Sequence, residues 1–203
     1  PKLLWVKKHE PENFDKIDKV MLPKDFIAYK LSGVHSTDVS DASGTLLFDV
    51  KNKSWSKEML DIVGLKEDQM ATIFESFEVV GNIRKSIGSK INLKESVKVI
   101  EGGGDEAVAS VGTGTVGHGM CNVSLGTSGV VFVASRHYSE IHENSLHVFA
   151  HADGKYHFMG VILSAAASNE WWMSNILESK DYNKEQGGID KLGEDNVYFL
   201  PYL

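Results

Sequence analysis

The residues best suited to chemistry lie between Val97 and Gly129. Gly102-Gly103-Gly104-Asp105 follows the apolar run Val97-Lys98-Val99-Ile100 and ends in a single carboxylate. Gly126-Thr127-Ser128-Gly129 lies between two apolar runs, Cys121 to Leu125 and Val130 to Ala134. A carboxylate at the end of a glycine turn can take the proton of a hydroxyl that attacks phosphorus, and the glycines let a ligand approach without obstruction by a Cβ. Asp105 is equally well placed as the N-cap of a helix beginning at Glu106, and the two roles are compatible. The second turn can hold phosphate through successive N–H groups and the hydroxyls of Thr127 or Ser128, or it can be a plain hairpin turn.

Other motifs carry less. Gly112-Thr113-Gly114-Thr115-Val116-Gly117 has the letters of a dinucleotide-binding fingerprint. That motif needs a strand before it and a helix after it, and here the order is reversed. His137, His142, His147, His151 and His157 are irregularly spaced, without the carboxylate or second cysteine of a familiar metal set, and read as hydrogen-bonded strand residues. No metal-ligating residue is assigned. Asn122-Val123-Ser124 is a glycosylation sequon in letters, but it falls in an expected buried strand.

These turns need elements to position them. Helices are expected over Lys2–His9 (Leu3, Leu4 and Val6 inward), Pro11–Lys19, and Lys24–Leu31 with Phe26, Ile27 and Leu31 inward and Gly33 closing it. His35 to Gly44 reads as a polar loop or irregular helix, and Thr45–Val50 as a strand. Ser56 caps a helix over Lys57–Val63 that ends at Gly64, and Glu67–Ile73 reads as another short helix. Glu78–Val80 is a strand end with a turn at Gly81-Asn82, Val97–Ile100 a buried strand, and Glu106–Val111 a close-packing helix. Residues 112–119 hold four glycines and form the expected connector between domains. Beyond it come two hairpins, the second turning at Asp153-Gly154 between Leu146–Ala150 and Tyr156–Ile162. A helix capped by Ser164 then runs to Leu177, with Trp171, Trp172, Ile176 and Leu177 on its apolar face. Residues 175–195 are polar and loose.

The 203 residues are 42% hydrophobic and 24% charged, which is ordinary for a globular α/β chain. A net charge of −7 with no basic stripe argues against a nucleic-acid partner, and the short apolar runs argue against a membrane partner. One cysteine, Cys121, fits a reducing, cytoplasmic setting. The chain begins at Pro1 inside a helical pattern and ends in the apolar Phe199-Leu200-Pro201-Tyr202-Leu203, so it is expected to be a piece of a longer protein.

Five phrases in order resemble the FGGY family of carbohydrate kinases: Leu22-Pro23-Lys24-Asp25-Phe26, Thr37 to Thr45, Gly102 to Asp105, Ser124 to Gly129, and Phe199 to Leu203. The resemblance spans essentially the whole chain and is strongest to kinases of ketopentoses. It implies a ribonuclease H-like, actin-hexokinase-like ATPase fold of two domains: 1–112 from the sugar-binding domain, 113–119 as hinge, and 120–203 from the nucleotide-binding domain. It further implies ATP-dependent phosphorylation of a ketopentose, D-xylulose to D-xylulose 5-phosphate foremost, with ATP and Mg²⁺ as cofactors. A homodimer is one candidate assembly, and the sequence does not fix the oligomeric state. Asp105 matches the family's catalytic base, and Gly126, Thr127, Ser128 and Gly129 match its phosphate hairpin. Glu106 stands where an amide side chain commonly helps bind sugar, a departure bearing on sugar identity or affinity. Val39 stands where some relatives carry an aromatic, which argues against glycerol. The family's opening phosphate turn, its Met-His-Gly stretch and its adenosine-binding segment fall outside this chain. Another FGGY kinase, acting on gluconate, ribulose or a deoxyketose, is the nearest alternative. A non-catalytic, actin-like nucleotide-binding module is the alternative of another class.

Overall fold

The computed structural model describes residues 1–141, 145–193 and 199–200. The chain opens with α1 (Lys2–His9) and α2 (Pro11–Phe14). The second helix is shorter than its sequence suggests, because the chain extends after Phe14 and Val20 N–H reaches the Gln69 carbonyl at 2.9 Å. In α3 (Pro23–Ser32) only Leu31 of the expected face turns inward, where it packs against Val80, Ile83 and Val99. Asp25 and Ala28 are buried, whereas Phe26 and Ile27 are 48% and 58% exposed. Asp25 is drawn inward by its bonds: its carboxylate accepts the Leu22 N–H at 2.9 Å and pairs with Lys24. Gly33 closes the helix at φ 87°, as expected.

The segment read as a polar loop or irregular helix holds β1 (Ser36–Asp38) and a short helix, α4 (Val39–Ser43), and is almost entirely buried. The expected strand over 45–50 shrinks to β2 (Phe48–Asp49), paired with β3 (Ser54–Trp55), because the chain turns at Leu46 with φ 65°. The helix α5 (Lys57–Val63) forms as read. Ser56 Oγ accepts the Met59 N–H, and Gly64 ends the helix at φ 87°. The expected helix over 67–73 is instead one 3₁₀ turn (Glu67–Gln69) and β4 (Thr72–Phe74), which runs parallel to β1 with Thr37 opposite Ile73. Then come β5 (Val79–Asn82), which continues through the expected turn, the short α6 (Lys85–Gly88), and β6 (Lys98–Ile100), antiparallel to β5. Only Val99 of β6 is buried.

Asp105–Gly112 forms α7, residues 113–120 cross over, and a four-stranded antiparallel sheet follows. Its strands are β7 (Cys121–Leu125), β8 (Gly129–Ser135), β9 (His147–Ala150) and β10 (Tyr156–Ile162), in the order β7-β8-β10-β9. Both expected hairpins are present. β7 is not buried, however: it is an edge strand, with Val123 58% and Leu125 75% exposed. The burial argument against the Asn122 sequon therefore fails. The next helix, α8 (Ala166–Trp171), widens into a π-helical turn over Trp172–Ile176, and a short helix over Tyr182–Glu185 and a 3₁₀ turn over Ile189–Lys191 follow in the segment expected to be loose. Ser164 does not cap α8, and Met173 is buried while Trp172, Ile176 and Leu177 are largely exposed. The two parts of the chain share a core: Ala150 of β9 packs with Val39, Ala42 and Phe48, and its N–H donates to Ser43 Oγ at 3.0 Å. Among the described residues no helix is long and apolar enough to cross a membrane.

The histidines divide. His151 is bonded at both nitrogens: Nδ1 accepts the Ala152 N–H at 2.9 Å, and Nε2 lies 3.3 Å from the Thr115 carbonyl. His142 lies outside the described residues. His157 corrects the expectation of hydrogen-bonded strand histidines. It is 2% exposed, stacks on Phe132 at 4.1 Å between ring centroids, and among the described residues neither ring nitrogen has a partner. Burial, aided by His151 and opposed by Asp153, lowers its pKa from 6.5 to about 3. The folded protein thus holds His157 neutral, while the unfolded chain binds a proton below pH 6.5. Its contribution is full above pH 6.5 and is lost as pH falls toward 3. The urea midpoint is expected to drop between pH 7.5 and 5 by the equivalent of roughly 1–2 kcal/mol, and the drop should shrink in His157→Leu. An equal drop in the variant would remove His157 as its cause.

Candidate functional site

The Gly102–Gly104 turn is built against α4 by polar groups from four segments. Asp38, fully buried, ends β1 and caps α4. Its Oδ2 accepts the Ser40 N–H (2.8 Å), the Ser40 hydroxyl (2.5 Å) and the Ser76 hydroxyl (2.6 Å), and its Oδ1 accepts the Asp41 N–H (3.2 Å). Ser40 Oγ in turn accepts the Gly104 N–H at 2.9 Å. The Gly102 N–H donates to the Ser76 carbonyl at 3.0 Å. The peptide that precedes Asp105 is thereby fixed to the end of a buried strand. Because the anchoring oxygens are buried and mutually bonded, they hold one geometry.

Lys24 ties the same region together from α3. Its Nζ lies 2.9 Å from Asp25 Oδ1, 3.1 Å from Glu101 Oε1 and 3.3 Å from Asp38 Oδ1. Burial pulls the lysine pKa down, but the Asp25 hydrogen bond and the charges of Asp25, Asp38 and Glu101 outweigh it and hold the ammonium above its ordinary range. The other Glu101 oxygen, Oε2, is buried and has no partner among the described residues.

Asp105 is exposed at the first position of α7, and Gly104, not Asp105, is the N-cap residue. Asp105 Oδ1 accepts the Glu106 N–H at 2.8 Å, which still leaves the carboxylate open to solvent. Glu106 is half-buried beside it. Asp41 of α4 lies against the same turn. Burial raises its pKa, Lys24 opposes that shift, and Asp38, Asp25 and Asp105 reinforce it.

The second turn lies elsewhere. Gly126, Thr127 and Ser128 are exposed at the tip of the β7–β8 hairpin. The Gly126 N–H donates to the Ser128 carbonyl, the Ala165 and Ala166 N–H groups donate to the Thr127 and Gly126 carbonyls, and Ser128 Oγ donates to the Leu163 carbonyl. This leaves the Thr127 and Ser128 N–H groups and the Thr127 hydroxyl without partners among the described residues, a set that fits an anion. Gly129 is buried in β8, where a Cβ would come within 2.9 Å of Ala165 Cβ, so its lack of a side chain serves packing. Among the described residues no hydrogen bond or ion pair joins this turn to Asp105 or Glu106. Sequence reasoning found both turns but missed Lys24, Asp25, Asp38, Ser40, Ser76 and Glu101 as one constellation, because they come from segments up to 77 positions apart. The Pro201–Leu203 part of the closing phrase lies outside the described residues.

Residues 1–112 match the family model for the N-terminal domain of the FGGY family of carbohydrate kinases. The whole chain is 42% identical to the xylulose kinase of Klebsiella pneumoniae and 39% identical to that of Escherichia coli K12, and it spans 42% of the length of each. The crystal structure of a xyloylose kinase from Brucella ovis superposes on 92% of the chain, and on 39% of its own, with a TM-score of 0.87 and 42% identity.

Proposed function

The chain belongs to the FGGY family of carbohydrate kinases and has part of its actin-like ATPase fold, and from that premise we propose that the whole protein phosphorylates D-xylulose with ATP. The observation that carries the reading is Asp105: a solvent-open carboxylate on a glycine turn whose preceding peptide is bonded to the buried Asp38–Ser40 pair. In this reading Asp105 takes the proton of the attacking sugar hydroxyl, and Glu106 contacts the sugar beside it. Residues 1–112 form the sugar side, 113–119 the crossing, and 120–203 the nucleotide side. The Thr127 and Ser128 N–H groups and the Thr127 hydroxyl hold ATP phosphate, with Gly126 shaping the turn and Gly129 seating it on Ala165. Most of the rate then comes from positioning and charge stabilisation.

When bound with the nucleotide, Mg²⁺ supplies screening of phosphate charge. Among the described residues no group of three His, Cys, Asp or Glu side chains is placed to hold a metal ion, and no step is assigned to a metal held by this stretch. A cytoplasmic setting, read from the single cysteine, completes the proposal, with a homodimer as one candidate assembly. Coupled ADP release by the full-length protein tests it. The kcat/KM for D-xylulose is expected to exceed that for gluconate, ribulose or a deoxyketose by about tenfold or more, as hydroxyl-reading sites discriminate strongly. A larger value for any of these would reassign the sugar, and no ADP release with any of them would overturn the kinase reading.

A further inference from the structure

The three glycines before Asp105 differ in what requires them. Gly102 has φ 80°, a backbone conformation that disfavours a side chain. Gly103 is needed for space: a Cβ there would lie 3.0 Å from Ser40 Oγ and Val108 Cγ1, and 3.3 Å from Ser76 Oγ. Neither reason applies to Gly104. Its φ of −58° and ψ of 145° suit any residue, and a Cβ would make ordinary contacts with Asp41, at 3.5 Å from Cα and 3.7 Å from Oδ1. The absence of a side chain at 104 leaves one flank of the Asp41 carboxylate uncovered. That carboxylate is half-buried, and among the described residues it accepts no hydrogen bond and forms no ion pair, although its own N–H is bonded to Asp38.

We propose that Asp41 is a second substrate-binding carboxylate, which accepts a hydroxyl of the polyol whose reacting hydroxyl faces Asp105, and that Gly104 is side-chain-free to admit that hydroxyl. The proposal rests on the sugar-kinase reading and adds a binding group to it. The groups facing Asp41 are Lys24, Asp38, Asp25 and Asp105. Three of the four are acidic, and the raised pKa of Asp41 means that its ionised form is disfavoured in the fold. A carboxyl group open on the Gly104 flank, with no partner among the described residues, suits a hydroxyl from outside.

The test uses the full-length protein with D-xylulose as probe. Asp41→Asn keeps the shape and removes the charge, and is expected to raise the sugar KM and the Kd by about 10- to 100-fold, the range for a lost hydrogen bond to a charged group. Its melting temperature should stay level or rise, because a like-charge contact is relieved. Gly104→Ala covers Oδ1 and should raise the sugar KM similarly with the fold intact, since a poorer N-cap is offset by a stiffer unfolded chain. The KM for ATP should stay within about twofold in both variants, because neither residue faces the phosphate turn. A sugar KM within about twofold of wild type in either variant would overturn the proposal, as would a lowered melting temperature in Asp41→Asn, which would make Asp41 structural. If the wild-type protein phosphorylates no sugar, the kinase reading itself falls and this proposal falls with it.

Discussion

In the full-length protein, Asp105→Asn is expected to lower kcat by about 10²- to 10⁴-fold, the span that a general base contributes, while D-xylulose binds within a few-fold of its wild-type affinity. The asymmetry follows from the local structure. An amide oxygen can accept the Glu106 N–H as Asp105 Oδ1 does at 2.8 Å, so the start of α7 has no reason to move. The side chain is exposed, so no packing is lost. An amide cannot take up the hydroxyl proton, so only the interaction made during reaction disappears, and kcat and kcat/KM fall together. Single-turnover kinetics beside equilibrium sugar binding measure the two quantities separately. Near-normal turnover would remove Asp105 from the base role, and a collapse of sugar affinity with kcat unchanged would make it a binding residue instead.

The parts of this fold that were legible in the sequence are those whose signals are local. Ser56 and Gly64 bracket α5 because an N-cap hydroxyl and a left-handed C-terminal residue act within one helix. The β7–β8 and β9–β10 hairpins follow from alternation and from turn residues such as Asp153-Gly154. The illegible parts are polar residues buried by distant partners. Ser36-Thr37-Asp38 has no apolar pattern, yet it is a buried strand because β4 and Ser76 satisfy most of what it carries. Asp25 looks like a surface residue of an amphipathic helix until Lys24 and Glu101 are seen beside it. The candidate site divides in the same way. Asp105 stood out because three glycines precede it, whereas Ser40 and Asp41 gained meaning only when the Gly104 peptide was found lying on them. Sequence showed which carboxylate is presented; only tertiary structure showed what presents it.

Lys24 holds together the acids behind that presentation, and Lys24→Met is expected to lower the unfolding free energy of the full-length protein by about 3–5 kcal/mol, the usual cost of stranding a buried charge. One ammonium faces the carboxylates of Asp25, Asp38 and Glu101, whose side chains are 3%, 0% and 0% exposed. Methionine fills similar space but leaves three acids in mutual repulsion, with Glu101 Oε2 already lacking a partner among the described residues. Protonation relieves that repulsion, so the deficit relative to wild type should be smaller at pH 5 than at pH 8. A loss of packing alone would not change with pH in this way. Lys24→Arg keeps the charge in a different geometry and should recover part of the loss, because a planar fork cannot meet three oxygens arranged around one ammonium. Urea unfolding at the two pH values measures all of this. A deficit under about 1 kcal/mol at pH 8 would show that the cluster is not a buried ionic anchor, and one that does not depend on pH would assign the loss to packing. Glu101 directly precedes Gly102, so the same substitution loosens the root of the turn, and turnover should fall even where the variant remains folded.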